Sequence, residues 1–263
     1  MLTVGSRRKR YLIVNADDFG QSHGINRGII EAHVRGIVTS ASLMARWPAG
    51  KEAATYSREH PKLSLGIHFD FSEWACRRGS WLPLYQVVPD DDVEGIALEA
   101  SRQLAAFRRL VGRDPTHVDS HQHAHRGRRV RPIFAEIAGR LGVPLRGCSP
   151  SVRYCGSFYG QTSNGRPLPS FISVNALIRI LVKLPPGFSE LGCHPGRGND
   201  LDSMYLRERA LEVNTLCDPR VRAAIADLEI ELCSFRDVPV NEAAAGPSRR
   251  GANRTIRERR SAA

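Results

Sequence analysis

Short apolar runs alternate with helix-length stretches from residue 11 to about residue 238, and this alternation constrains the fold more than any other feature. Tyr11–Ala16 is apolar and partly β-branched and reads as a first strand. A helical stretch follows from Gly24 to about Arg35, with Ile25, Ile29 and Ala32 at helical spacing and Gly36 as its expected stop. The pattern repeats: strands at Val38–Ala45, Leu63–Phe71, about 117–121, Pro144–Cys148, Phe188–Cys193 and Glu231–Phe235. Helices are expected at Pro48–Glu59, Val93–Val111, Arg129–Leu141, Val174–Leu184, 203–216 and 219–227. Residues 72–92 and 149–170 read as long loops. Strands that alternate with helices pair in parallel, because each crossover helix returns the chain to the same edge. The expected fold is therefore α/β, a distorted or incomplete (β/α) barrel of about seven parallel strands in a single domain.

The polar residues sharpen this. Four of the nine histidines fall between Thr116 and His125. His117, Asp119, His121, His123 and His125 are each two apart, so an extended chain would put them on one face. Strands usually run about five or six residues, which leaves His123 and His125 in the loop beyond. A histidine-rich surface loop would explain this stretch alone. It would not explain Asp17-Asp18 after the first strand, His68 in the third or His194 after the sixth. All lie near the carboxyl ends of expected strands, the edge where parallel α/β folds build their sites.

One carboxylate and two imidazoles form a metal site that leaves positions open for water and substrate. Asp18, His68 and His121 are the candidate ligands, and Asp17 is then free to act as a general base. Both aspartates can face one site only if the strand turns there, which Phe19-Gly20 permits. His194 is the candidate general acid, and Asp119 is placed to orient a ligand imidazole. His123, His125 and Arg146 complete the residues expected around the ligands or substrate. Trp74, Trp81, Tyr154, Phe158 and Tyr159 offer flat faces that suit a sugar ring or plain packing.

Composition closes off other classes. The net charge of +11 suggests nucleic acid, but residues 1–10 carry +4 and residues 241–263 another +4. The basic ends are expected to be disordered, around a domain at 11–240. No apolar run approaches the roughly 18 residues of a membrane span, and Tyr11–Val14 is too short for a signal peptide. The chain is expected to be cytoplasmic, with six reduced cysteines, no specific nucleic-acid partner and no membrane span; a homodimer is compatible with it.

Five segments together resemble the YdjC-like carbohydrate deacetylases, which include chitooligosaccharide deacetylases and hopanoid-associated proteins. They are Asn15-Ala16-Asp17-Asp18-Phe19-Gly20, Val38–Met44, Gly66-Ile67-His68, His117–His123 and Cys193-His194-Pro195-Gly196. The resemblance spans roughly residues 11 to 238. It implies one divalent metal ion, zinc or magnesium, on Asp18, His68 and His121. It implies Asp17 as base, His194 as acid, and a substrate carrying an N-acetyl group, from a small sugar to an oligosaccharide. Gln21 and Ala124 depart from the family's usual Leu and Val. The competing readings are a phosphoesterase or cyclic amidase using the same metal, and a non-catalytic sugar-binding protein.

Overall fold

A computed structural model describes residues 9–239. The two basic ends lie outside the described residues, apart from Lys9 and Arg10. The chain runs β1 (Arg10–Phe19), α1 (His23–Val34), β2 (Ser40–Leu43), α2 (Gly50–Glu59), β3 (Ser64–Phe69), β4 (Ser72–Arg77), β5 (Ser80–Gln86), α3 (Val93–Val111), β6 (Val118–Ser120), α4 (Arg131–Leu141), β7 (Val152–Cys155), α5 (Val174–Val182), β8 (Gly187–Cys193), α6 (Leu206–Leu216), α7 (Pro219–Asp227) and β9 (Ile230–Cys233).

Among the described residues the main sheet has seven strands in the order β6-β3-β2-β1-β8-β7, with β9 also paired to β1. Every pairing in it is parallel. The sheet curls into a half-barrel, as expected of an incomplete (β/α) barrel. β1 is its axis: β8 lies along one side, and β9 then β2 take successive halves of the other. That position explains why Leu12, Ile13, Val14 and Ala16 are all fully buried. A strand covered on both faces reads as a continuous apolar run.

Three expectations need correction. Pro144–Cys148 is not a strand. Only Leu145 bridges Val118, and the chain then turns through Gly147 at a φ of 65°. The strand that pairs with β8 is β7, inside the stretch expected to be an irregular loop. Residues 72–92 likewise hold an antiparallel hairpin, β4–β5. Its two turn residues, Arg78 and Gly79, both have positive φ (53° and 84°), the pattern of a type I′ turn. Arginine is uncommon in that position, and Pro83 interrupts β5.

The histidine strand is shorter than expected. β6 spans Val118–Ser120, and a 3-10 helix, His121–Arg126, begins at once. α1 ends at Val34, and Arg35 N–H donates to the Glu31 carbonyl, so the helix stops directly before Gly36 as expected. Among the described residues no helix is long and apolar enough to cross a membrane.

Candidate active site

The carboxyl edge of the sheet opens into a pocket of about 670 Å³. Asp17, Asp18, His68, His121 and His194 all line it, delivered by β1, β3, the turn after β6 and the turn after β8. Trp74 and Trp81 of the hairpin form part of the wall, with Tyr154, Phe158 and Tyr159.

The two adjacent aspartates share this pocket because β1 is irregular there. Its register against β2 shifts between Ala16 and Phe19, and Asp18 has a φ of 67°. The chain thus bends already at Asp18 and then turns at Phe19-Gly20 as expected, where Gly20 has a φ of 94° and Gln21 N–H donates to the Asp18 carbonyl at 3.0 Å. Aspartate enters the left-handed region more readily than bulky residues, and backbone strain of this kind concentrates at functional sites.

Asp18 Oδ1 lies 3.0 Å from His121 Nδ1 and 3.2 Å from His68 Nε2. Burial pushes the Asp18 carboxyl up, but Arg209 and His121 outweigh it and hold it well below the ordinary range. Burial also disfavours the charged His68 ring, yet Asp119 and Asp18 raise it to about 10. His68 Nδ1 donates to Asp119 Oδ1 at 2.7 Å, which aims Nε2 at Asp18. His121 Nε2 is buried without a hydrogen-bond partner, and Glu73 Oε2 is 3.9 Å away. The donor set fits a divalent cation: one atom from each of Asp18, His68 and His121 lies within 4.8 Å of the others. Metals take neutral imidazole, so binding there would displace a proton from His68.

Asp17 is held differently. Arg146 grips both of its oxygens, at 2.5 and 2.7 Å. Arg146 also meets Asp119 Oδ2 at 2.7 Å and Glu190 Oε1 at 2.7 Å. One buried guanidinium therefore serves three carboxylates. Burial raises the Asp17 carboxyl, Arg146 more than offsets this, and the net shift is downward. Burial of Glu190 prevails over Arg146 and lifts it to about 7.

His194 Nε2 is 3.7 Å from Asp17 Oδ2, the oxygen that also accepts from Arg146 Nη1. Burial lowers its pKa to about 4 against the pull of Asp17 and Asp18. Its backbone N–H donates to Glu212, which also accepts from the Tyr205 hydroxyl at 2.6 Å.

The other histidines of the run separate. His123 lines the pocket and faces the Tyr154 hydroxyl at 3.4 Å. His125 does not line it; its Nδ1 meets Ser120 Oγ at 2.7 Å and its Nε2 meets the Arg146 carbonyl at 3.1 Å. His125 thus reaches the site through Ser120, which lines the pocket, and through Arg146. His117 stacks on Phe235 at 3.8 Å, deep in the core. Arg209, Glu73, Glu190 and Glu212 were not anticipated. The signal for α6 was present: Glu208, Arg209 and Glu212 share a buried face with Val213 and Leu216. Charges on the inward stripe of a helix ask for partners.

The YdjC-like protein family model matches residues 11–227. The chain belongs to the YdjC-like family. Among the relatives of this YdjC-like protein is a carbohydrate deacetylase of Geobacillus stearothermophilus, 33% identical over 87% of this chain and 98% of its own length. A chitooligosaccharide deacetylase of Serratia marcescens is 32% identical over 88% of this chain and 100% of its own length. Among solved structures, one described as a cellobiose-phosphate cleavage protein of Enterococcus faecalis V583 superposes with a TM-score of 0.72. It is 26% identical, over 87% of this chain and 98% of that one. The Xyl-CE4 domain of a xylanase from the hindgut metagenome of Trinervitermes trinervoides matches at a TM-score of 0.54. It is 11% identical, over 87% of this chain and 89% of that one, and shares the fold.

Proposed function

We propose that this YdjC-like protein is a metal-dependent hydrolase that removes an acetyl group from the nitrogen of an N-acetylated sugar or glycoconjugate. The observation that carries this reading is the meeting of Asp18, His68 and His121 beside Asp17 and His194 on one pocket floor. The curated relatives named as carbohydrate and chitooligosaccharide deacetylases support the substrate class.

Asp18, His68 and His121 would hold the cation, and two imidazoles favour zinc over magnesium. When bound, a divalent ion would supply Lewis acidity, making a water more acidic and polarising a carbonyl oxygen. Everything else falls to the chain's own side chains. Asp17 accepts the proton of the attacking water at Oδ2, the oxygen facing His194. Arg146 keeps that carboxylate ionised and fixed in orientation. His194 enters as a neutral imidazole and must gain the proton it later gives. The nearest source is Asp17, 3.7 Å away, once it has taken the water's proton. Delivery of that proton to the departing nitrogen lets the C–N bond break, releasing acetate and the free amine. Trp74, Trp81 and Tyr159 would flank the sugar rings. The same reading includes a cytoplasmic location; separately, among the described residues no helix is long and apolar enough to cross a membrane.

The test is metal analysis of the purified protein, then mass spectrometry for loss of one acetyl group across N-acetylhexosamine conjugates, with phosphate esters alongside. Asp18→Asn and His121→Ala should lose metal and activity together. Full deacetylase activity in either variant without bound metal would refute the reading.

A further inference from the structure

We propose that Arg209 is a positioning residue that makes Asp18 offer a cation one oxygen rather than two. This rests on the reading of Asp18, His68 and His121 as ligands. Arg209 Nη2 donates to Asp18 Oδ2 at 2.7 Å, while both imidazoles face Oδ1. The two carboxylate oxygens are therefore divided between a fixed cationic side chain and the ligand cluster. Bidentate binding would pull Oδ2 from Arg209 or divide that oxygen between the guanidinium and a second cation. Once Oδ2 left, the guanidinium would be buried with little else to satisfy it: its Nε has no partner, and Nη1 reaches only the His194 carbonyl at 3.4 Å. A buried charge left unpaired is strongly unfavourable, so the protein resists that change.

The turn after β8 and the residue before α6 hold Arg209 in place. Gly196 N–H donates to the Arg209 carbonyl at 3.2 Å. A Cβ on Gly196 would come within 3.0 Å of Arg209 Cδ and 3.2 Å of its Cβ. The glycine after His194-Pro195 thus leaves room for the arginine stem. The Tyr205 ring lies beneath the guanidinium at 5.9 Å. One helix consequently governs both halves of the site, Asp18 through Arg209 and the His194 backbone through Glu212. A ligand restricted to one oxygen keeps an additional coordination position open for water and substrate, as catalytic sites require.

Zinc binding to the full-length protein, measured by competition with a chromophoric chelator, tests this together with a crystal structure of the zinc-loaded protein. The wild type should bind zinc through Asp18 Oδ1 alone. Arg209→Met removes a positive charge that opposes the metal and frees Oδ2. It should bind zinc tighter, by about tenfold, with both Asp18 oxygens on the metal and a lower kcat. Arg209→Lys should restore one-oxygen binding. A merely structural arginine predicts the opposite, weaker zinc binding by the Met variant. That result, or unchanged one-oxygen binding in it, overturns the proposal. Two-oxygen binding in the zinc-loaded wild type overturns it whether or not any variant folds. Wild-type zinc affinity in Asp18→Asn would bring down the ligand reading itself, a separate failure.

Discussion

Asp17 and Asp18 are neighbours in sequence with different surroundings, and the difference is set by one dihedral and two arginines. The left-handed turn at Asp18 directs its carboxylate to His68, His121 and Arg209, while Asp17 stays with Arg146. Asp17→Asn should therefore leave zinc stoichiometry intact and lower kcat by roughly 10²–10⁴, the usual contribution of a positioned base. Metal content and initial rates on the same preparation check this. Wild-type turnover in Asp17→Asn would remove the base assignment. Adjacent carboxylates were legible as a pair in the sequence. Their division between two arginines was not, because Arg146 and Arg209 lie more than a hundred residues away along the chain.

At the scale of elements, the turn after β8 is held by α1. A Cβ on Gly28 would come 2.3 Å from Gly196 Cα, closer than such atoms can approach. That contact is backbone against backbone, so no side chain can rotate away. Gly28→Ala should push the His194–Gly196 turn off the pocket edge and destabilise the fold by about 1–3 kcal/mol, as overpacking does. Activity should fall more than zinc binding, since the three candidate ligands are carried by β1, β3 and the turn after β6. Thermal unfolding and zinc titration together check it. Unchanged stability and rate would show that α1 yields freely. The hairpin β4–β5 shows why some elements were hidden. Most of β5 is exposed, so no apolar alternation marks it. β7 is four residues long and is a strand because β8 offers it an edge.

Over the whole molecule, buried imidazoles dominate the response to acid. Burial holds His117 and His123 at about 3, and His125 and His194 at about 4. Each would take up a proton near 6.5 once unfolded. A base with a lowered folded pKa contributes stability above its unfolded value and loses it as pH falls. Glu190 and Glu212 act in reverse. Burial raises them to about 7 and about 8, so they favour the folded state as pH falls through that range. Burial raises Glu73 in the same sense, while His68 and His121, raised above 6.5, add little change below that pH. Four lowered imidazoles against three raised carboxyls leave the protein losing stability between pH 6.5 and 4.5. The urea midpoint across that window checks the sign. A midpoint that rises on acidification would mean that the carboxyls prevail.

The sequence by itself determined the parallel α/β architecture, because apolar runs and helical stretches alternate at lengths that only crossovers connect. It also marked the strand ends where Asp17, Asp18, His68, His121 and His194 emerge, since ionisable residues directly after buried strands have few other places to go. The tertiary structure decided which groups face one another. Arg146 is placed among three carboxylates by the turn after Leu145, and Arg209 is brought over Asp18 by the docking of α6 against α1. Periodicity along a chain reports which face of an element is buried. It carries no information about which charge from a distant element will be buried against it, and here those pairings set the electrostatics of the pocket.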